Sequence, residues 1–390
     1  MIIILSSGET RFDYGLAAAL KFMGIDVTIL TPSNSVKVEN KTTILCNERK
    51  VDLTTLHIPF LSTKFAFNSK NVHILKEMIA NYIKPSKIRA IVAPRDITLF
   101  YVGFLLSKVF HAPLLWYYSP TPAYIFKSKV YAKAVNSIRQ KLSVYIHGLL
   151  GILHDYFRGY ICKKIIFRDP KTYSIFRIVH PQKTVLIPSP YASFLRGKSA
   201  KIEDEYADIS LPDEYILSIV TLSRKGIARF FEEKILQLIL GISRRVKEIN
   251  FVVVGTSKNE VKSRGYDVSR FPNVTFLGFI SNDNVYSKVL SKATAIFAPQ
   301  LLPGQSNRVI EAIYYEKPLI TTPIAQEYHI GIRQGCTSLI CYSKQCFINA
   351  IKSIIRQDHV YTTLKEGLKK LRKSFYNSIV IRNILRKTLV

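Results

Sequence analysis

Two stretches in the second half of this chain combine residue types and spacings that suit an anionic ligand. Arg224 and Lys225 are adjacent and follow the apolar run Tyr215–Thr221. An arginine takes phosphate oxygens in a bidentate fork, and a lysine adds a compact point charge. Just past a strand's C-terminus, where doubly wound folds bind ligands, such a pair suits an anion. A solvated basic turn would carry the same two residues. Gly304-Gln305-Ser306-Asn307 stands at a loop-to-helix junction. The free N–H groups of a helix N-terminus are a ready anion site, and Ser306 or Asn307 can serve as N-cap. A plain capped helix satisfies these residues equally. Glu311 falls one turn into the helix, where its carboxylate can accept from paired hydroxyls or simply face the positive end of the dipole.

The first half offers weaker candidates. Its first loop, Ser7–Gly15, carries Gly8 and Gly15 with Glu9, Arg11 and Asp13 between them. The glycines permit close backbone approach, and an acid or base could sit among the charged residues, although a polar surface loop has the same composition. Arg95 and Asp96 follow the run Ile88–Ala93. His147 and His154 lie in an apolar helical segment and read as structural. Cys336, Cys341 and Cys346 lack the Cys-x-x-Cys spacing of a metal site. The five cysteines read as buried or half-buried free thiols in a reducing compartment. No carboxylate cluster is placed to hold a metal.

The elements that must position these residues alternate. Met1–Ser7, Val27–Thr31, Ile88–Ala93, Leu114–Tyr118, Ile165–Arg168 and Thr184–Pro188 are short apolar runs that predict strands. Tyr14–Met23 predicts a helix closed by Gly24. The second half repeats the grammar, with predicted strands at Tyr215–Thr221, Asn250–Gly255, Asn273–Gly278, Thr294–Pro299 and Pro318–Thr322. Helices are predicted at Ile227–Glu248, Asp283–Ser291 and Asn307–Tyr315. Runs without alternation, separated by helices, imply parallel strands covered on both faces. A polar stretch near Phe194–Pro212 separates two such patterns. The expected organisation is a Rossmann-like domain over 1–195, a linker over 196–211, a second Rossmann-like domain over 212–355, and basic C-terminal helices over 356–390 that could pack back on the first domain.

Composition bounds the function. The chain has 390 residues, 48% hydrophobic and 21% charged, which excludes wholesale disorder. Its 56 Lys and Arg against 27 Asp and Glu give a net charge of +29. Such an excess points to a polyanionic neighbour: nucleic acid, an anionic membrane face or a phosphorylated substrate. The N-terminus has no basic region before its short apolar run, so it does not read as a signal peptide. No run is long enough to span a bilayer; Leu142–Leu153 comes nearest and contains His147. Segment 124–168 holds nine basic residues and one acid with Tyr, Phe, Ile and Leu interleaved, and segment 361–390 holds eight to one. Both suit a surface lying in an anionic interface, or helices whose apolar faces enter the core while the lysines stay solvated.

Residues 215–325 carry an ordered set of pieces. They are Leu217-Ser-Ile-Val-Thr, Arg224-Lys225-Gly226, Phe251-Val-Val-Val-Gly255, Asn273-Val-Thr-Phe-Leu-Gly278, Ala298-Pro299, Gly304-Gln-Ser-Asn-Arg-Val-Ile-Glu311-Ala312 and Glu316-Lys-Pro-Leu-Ile-Thr-Thr-Pro323. The set resembles the nucleotide-sugar-binding half of GT-B glycosyltransferases, specifically the retaining group called glycosyltransferase family 4. The first half fits that family's acceptor domain in outline. The resemblance implies two doubly wound domains facing a cleft. Arg224 and Lys225 would stabilise the leaving diphosphate; the family sets its Arg and Lys further apart. Gly304, Gln305, Ser306 and Asn307 would meet the donor, and Glu311 the ribose hydroxyls. The family's Glu-x7-Glu places its first Glu at Pro303, where no carboxylate stands, which leaves the sugar contact and the stereochemical class open. The family's mid-domain His has no counterpart in Leu114-Leu-Trp-Tyr-Tyr-Ser119.

The expected function is glycosyl transfer, of the hexosyltransferase type, from a nucleotide sugar to a glycan or polyprenyl-phosphate-linked acceptor. It needs no metal or other cofactor, and takes place in the cytoplasm or on the inner membrane face. Rival readings are a basic nucleic-acid-binding protein, a sugar-nucleotide enzyme of epimerase type, and an inactive homologue. No RNP, KH, zinc-finger or helix-turn-helix signature supports nucleic acid, which is not an expected partner.

Overall fold

In the computed structural model of the chain, residues 1–6, 11–33, 37–46, 49–58, 69–94, 96–118, 137–188, 192–194, 211–223 and 227–389 are described. Two compact units result. One comprises 1–121, 149–195 and 375–390, and the other 122–148 and 196–374.

The first unit is built on strands β1 (Ile2–Leu5), β2 (Val27–Pro32), β3 (Lys37–Cys46), β4 (Arg49–Ile58), β5 (Ala90–Ala93), β6 (Leu114–Tyr118), β7 (Lys164–Phe167), β8 (Thr184–Leu186) and β9 (Ala192–Phe194). Their order in the sheet is β8-β7-β6-β5-β1-β2-β4-β3-β9. The pairings from β8 through β4 are parallel. Successive side chains of a strand point to opposite faces, and β1 shows the consequence. Ile3 and Leu5 enter one buried apolar cluster, Ile2 and Ile4 the other. A central strand must therefore be apolar throughout, which is why β1 was legible as an unbroken run.

The antiparallel edge was not expected. β3 pairs antiparallel with β4 and with β9. Lys37–Cys46 and Arg49–Ile58 interleave Lys, Glu, Asp and Thr with apolar residues, so no continuous run marks them. Val51 and Leu53 nonetheless feed one core, and Leu56 and Ile58 the other.

The second unit carries β10 (Ile216–Ile219), β11 (Phe251–Val254), β12 (Val274–Gly278), β13 (Ala295–Phe297), β14 (Leu319–Thr321) and β15 (Ser338–Ile340) in the order β12-β11-β10-β13-β14-β15. Every pairing is parallel. Chain order reverses between β10 and β13, which makes the loops after these two strands the place where such a sheet binds ligands. The edge strand β15 was not read from the sequence, because its apolar run Leu339-Ile340-Cys341 is short and bounded by Ser338 and Tyr342. The long helix ends at Ser243 rather than Glu248, because Ser243 turns its hydroxyl back to the Leu240 carbonyl and the chain leaves the helical path at Arg245 and Val246.

The basic tail forms helices His359–Phe375 and Ser378–Leu389. The first buries Leu364, Leu368 and Leu371, and the second buries Ile381 and Leu385. The described leucines and isoleucines on these faces are thus inside, while Phe375 is exposed. Of the cysteines, Cys162 and Cys341 are buried and free, Cys346 is half-buried, and Cys336 is exposed, against the expectation of burial. Burial pushes the Cys162 thiol up to about 12.

Gly255 closes β11 at φ +93°, and a Cβ there would lie 2.7 Å from the carbonyl oxygen of Val220. The left-handed backbone and the contact with a rigid neighbouring loop both exclude a side chain. Gly255→Ala is expected to cost about 2–3 kcal/mol, read as a lowered denaturation midpoint at an unchanged m-value. An unchanged midpoint would show that the loop after β10 yields freely.

Candidate functional site

The loop after β10 begins at Val220, and four hydrogen bonds fix its first residues. Val220 donates its N–H to the Val254 carbonyl at 2.8 Å. Leu222 N–H reaches Thr256 Oγ1 at 3.2 Å, and that hydroxyl donates to the Val220 carbonyl at 2.6 Å. Thr221 N–H reaches the Glu232 carboxylate at 3.1 Å. Arg224 and Lys225 come next in sequence and lie outside the described residues.

On the other side of the reversal point, the loop after β13 runs through Gln300 to Gly304 and into the helix Asn307–Tyr314. Gly304 has φ +114°, a value that suits glycine. Gln300 is buried and holds the loop from inside. Its amide nitrogen donates to the carbonyls of Leu302, at 3.0 Å, and Gly304. Its backbone N–H donates to Thr322 Oγ1 at 3.1 Å. Ser306 is the N-cap, as the sequence allowed, yet its side chain makes no capping bond. Its backbone N–H donates instead to Nε2 of buried His329 at 3.0 Å. The same nitrogen stands 3.1 Å from Gln300 Oε1. One nitrogen cannot accept from the first and donate to the second together, so the imidazole tautomer decides which partner the loop holds.

The two sides are joined by a pair the sequence reading did not single out. Arg308, the second residue of the helix, donates through Nη2 to both carboxylate oxygens of Glu232, at 2.6 Å to Oε2. Glu232 is 4% exposed. One carboxylate thus binds the loop after β10 through Thr221 and the helix after β13 through Arg308. Charge-assisted contacts of this kind gain strength where water is excluded. The only sequence signal was an acid two turns into an otherwise apolar helix face, 76 positions from its partner.

Glu311 lies on the same helix and is 4% exposed. It is no surface acid, and it stands one turn behind the helix N-terminus together with Gly304, Gln305, Ser306 and Asn307. Pro303, where the resemblance asks for a carboxylate, sits in the Gln300-braced loop. Lys317, after the helix, has its pKa lowered by burial and then by Lys365.

In the first unit, Gly8, Glu9 and Arg95 lie outside the described residues. Gly15 is buried within the helix Arg11–Lys21 rather than in a loop, because the helix starts four residues earlier than its glycine suggested. Asp96 caps the helix Ile97–Val109, its carboxylate accepting the Leu99 N–H at 3.0 Å. Asp13 is buried and accepts from the Ser6 hydroxyl at 2.6 Å, just beyond β1. Tyr117, on β6, faces the Arg168 guanidinium across its ring at 5.7 Å. Burial raises this phenol to about 12, with Arg168 opposing the shift. Among the described residues no group of three or more His, Cys, Asp or Glu could hold a metal ion. His154 bonds Tyr101 at 3.1 Å and is structural, as expected.

Residues 214–357 match the family model for group 1 glycosyl transferases. A comparison with curated protein sequences gave no match. Among solved structures, the sucrose-phosphate synthase of Thermosynechococcus elongatus superposes with a TM-score of 0.67 at 19% identity, covering 99% of this chain and 97% of that one. WaaG, a glycosyltransferase involved in lipopolysaccharide biosynthesis, gives 0.60 at 13% identity, with 99% of both chains covered. An Escherichia coli structure described as trehalose-6-phosphate with UDP-2-fluoro glucose bound gives 0.59 at 9% identity, covering 100% and 98%. The chain therefore has the GT-B fold, and its residues 214–357 are similar to the group 1 glycosyl transferases.

Proposed function

We propose that the chain transfers a glycosyl group, of hexosyl type, from a nucleoside diphosphate sugar to a glycan or lipid-linked acceptor. One observation carries this reading. At the reversal point of the second sheet, a helix N-terminus with open backbone N–H groups is locked by Arg308 and Glu232 to the loop that leads to Arg224 and Lys225. The helix dipole and the free N–H groups suit a diphosphate. Glu311, one turn behind, suits the ribose diol as the charged acceptor of its two hydroxyls. Arg224 and Lys225 would take up charge as the bond between the anomeric carbon and the diphosphate oxygen breaks and the electron pair leaves with the diphosphate. The acceptor hydroxyl oxygen forms the new bond to the anomeric carbon, and its proton passes to the departing diphosphate oxygen. The two cations supply the counter-charge in this scheme, so the reading needs no metal. With Pro303 in place of a carboxylate, contact to the transferred sugar falls to backbone groups between Gly304 and Ser306. Retention of anomeric configuration is part of the proposal, on the strength of the group 1 match. The surplus of positive charge fits an anionic membrane surface as the place where a lipid-linked acceptor is met.

Calorimetry with UDP, GDP and ADP tests the donor site. One nucleotide is expected to bind, and Glu311→Gln to weaken it about ten-fold or more. Failure of all three to bind the folded protein would overturn the reading. Arg224→Ala and Lys225→Ala separate the two cations. The one that meets the growing charge is expected to lower kcat about 100-fold or more with little change in KM; two near-normal variants would remove both from the reaction. Arg308→Lys keeps the charge and loses the fork. It is expected to cost about 1–2 kcal/mol of stability and to weaken nucleotide binding, whereas unchanged midpoint and affinity would show that the pair positions nothing.

A further inference from the structure

The helix Ile138–Ile161 is amphipathic in the inverse sense. In its second half, Leu149, Leu150, Leu153, Phe157 and Tyr160 are each at least 57% exposed. On the opposite side, Asp155 and Arg158 are at most 2% exposed and pair at 3.7 Å. Arg158 also stacks over the rings of Phe100, at 4.6 Å, and Trp116. The exposed apolar positions recur at three- and four-residue intervals, and the same spacing runs back through Ile146 and Leu142 to Ile138. An apolar stripe of this length exceeds what scattered surface leucines produce.

The second half of the stripe, 149–160, ends at a cavity of about 590 Å³ lined by residues of its own unit. Lys108, His111, Lys163 and Lys183 are among the residues lining it, Tyr160 joins it to the stripe, and no carboxylate is among the described residues that line it. Lys183 is held by the helix end, donating to the carbonyls of Tyr160, at 2.8 Å, and Gly159. Lys108 and Lys163 are exposed.

We propose that this helix face lies in the headgroup layer of an anionic bilayer, with the cavity taking the phosphate of an anionic lipid. Charge complementarity singles out this occupant. The helix's only acid is Asp155, which is buried, so its outward face presents no negative charge. A helix of 24 residues, about 36 Å long, with leucine, phenylalanine and tyrosine outward and lysines at its end, matches an interfacial helix in both composition and length. No helix among the described residues is long and apolar enough to cross a membrane, so the helix lies along the surface. A second copy of the chain is disfavoured, since two bodies at +29 each repel. Nucleic acid would call for exposed cations without exposed leucines. The proposal deepens the membrane part of the proposed function and does not require the donor site.

Flotation of the full chain tests it, with phosphatidylcholine vesicles and with vesicles that also contain phosphatidylglycerol. The chain is expected to float with the anionic vesicles and to release as salt rises. Leu149→Ser/Leu153→Ser/Phe157→Ser, at exposed positions, is expected to weaken binding about ten-fold or more. Lys108→Gln/Lys163→Gln is expected to abolish the preference for anionic vesicles while sparing the folded state. Nucleotide binding, measured in parallel, should stay unchanged in both variants, which keeps a failed donor site apart from a failed membrane site. Failure of the parent chain to float at low salt, or flotation of the serine variant like the parent, would overturn the proposal. So would a lipid-free dimer that the serine changes dissolve.

Discussion

The organisation of the second unit's site rests on one carboxylate. Glu232 sits almost wholly out of water and serves two clients on opposite sides of the sheet's reversal point, the Thr221 N–H and the Arg308 guanidinium. Removing a charge from water is costly, and only close partners offset it. The two oxygens of Glu232 have those partners only while the loop after β10 and the helix after β13 keep their spacing. The pair therefore acts less as a source of stability than as a gauge: displacement of either element leaves a buried charge unmet. Preorganised donors require this kind of stiffness if they are to meet a diphosphate without first being rearranged.

A second brace acts on the loop after β13. Gln300 and His329 hold it, with Nε2 of His329 accepting the Ser306 N–H in one tautomer and donating to Gln300 Oε1 in the other. Removing that N–H from the helix end limits which of the first N–H groups can turn to a ligand. Those of Asn307 and Arg308 remain available in the helix geometry. The loop is thus shaped by buried polar contacts as well as by Leu301, which packs against the core.

How much of this could be read beforehand depends on where the information lies along the chain. Strands such as β10, β11 and β13 are covered on both faces, and their unbroken apolar runs announced them. The order of pieces from Leu217 to Pro323 also located the ligand end of the second sheet. The Glu232–Arg308 pair was not visible, because an acid on an apolar helix face was its only hint and the partner lies 76 positions away. The β3–β4 edge escaped for a related reason. Its alternation is broken by Asn40-Lys41 near a register shift between Glu39 and Thr42, and pairing with β4, not propensity, makes it a strand. Glu311 was identified by spacing, but its burial comes from the packing of the whole helix.

The two basic, apolar-rich segments show the limit of composition most clearly. Segments 124–168 and 361–390 have nearly the same make-up, yet the described helices within them turn opposite faces inward. The tail helices turn Leu364, Leu368, Ile381 and Leu385 into the cores, as a hydrophobic face ordinarily does. The helix Ile138–Ile161 turns its leucines out and lets Arg158 and Asp155 take the inner positions. That inversion needs a reason, because a buried arginine is costly unless it is paired and stacked. The first unit provides both, an acid one turn away and two aromatic faces from Phe100 and Trp116. With the ion pair serving as the inner surface, the leucines are not needed by the core. The buried salt bridge on the inner side is what lets the apolar face of this helix stay exposed.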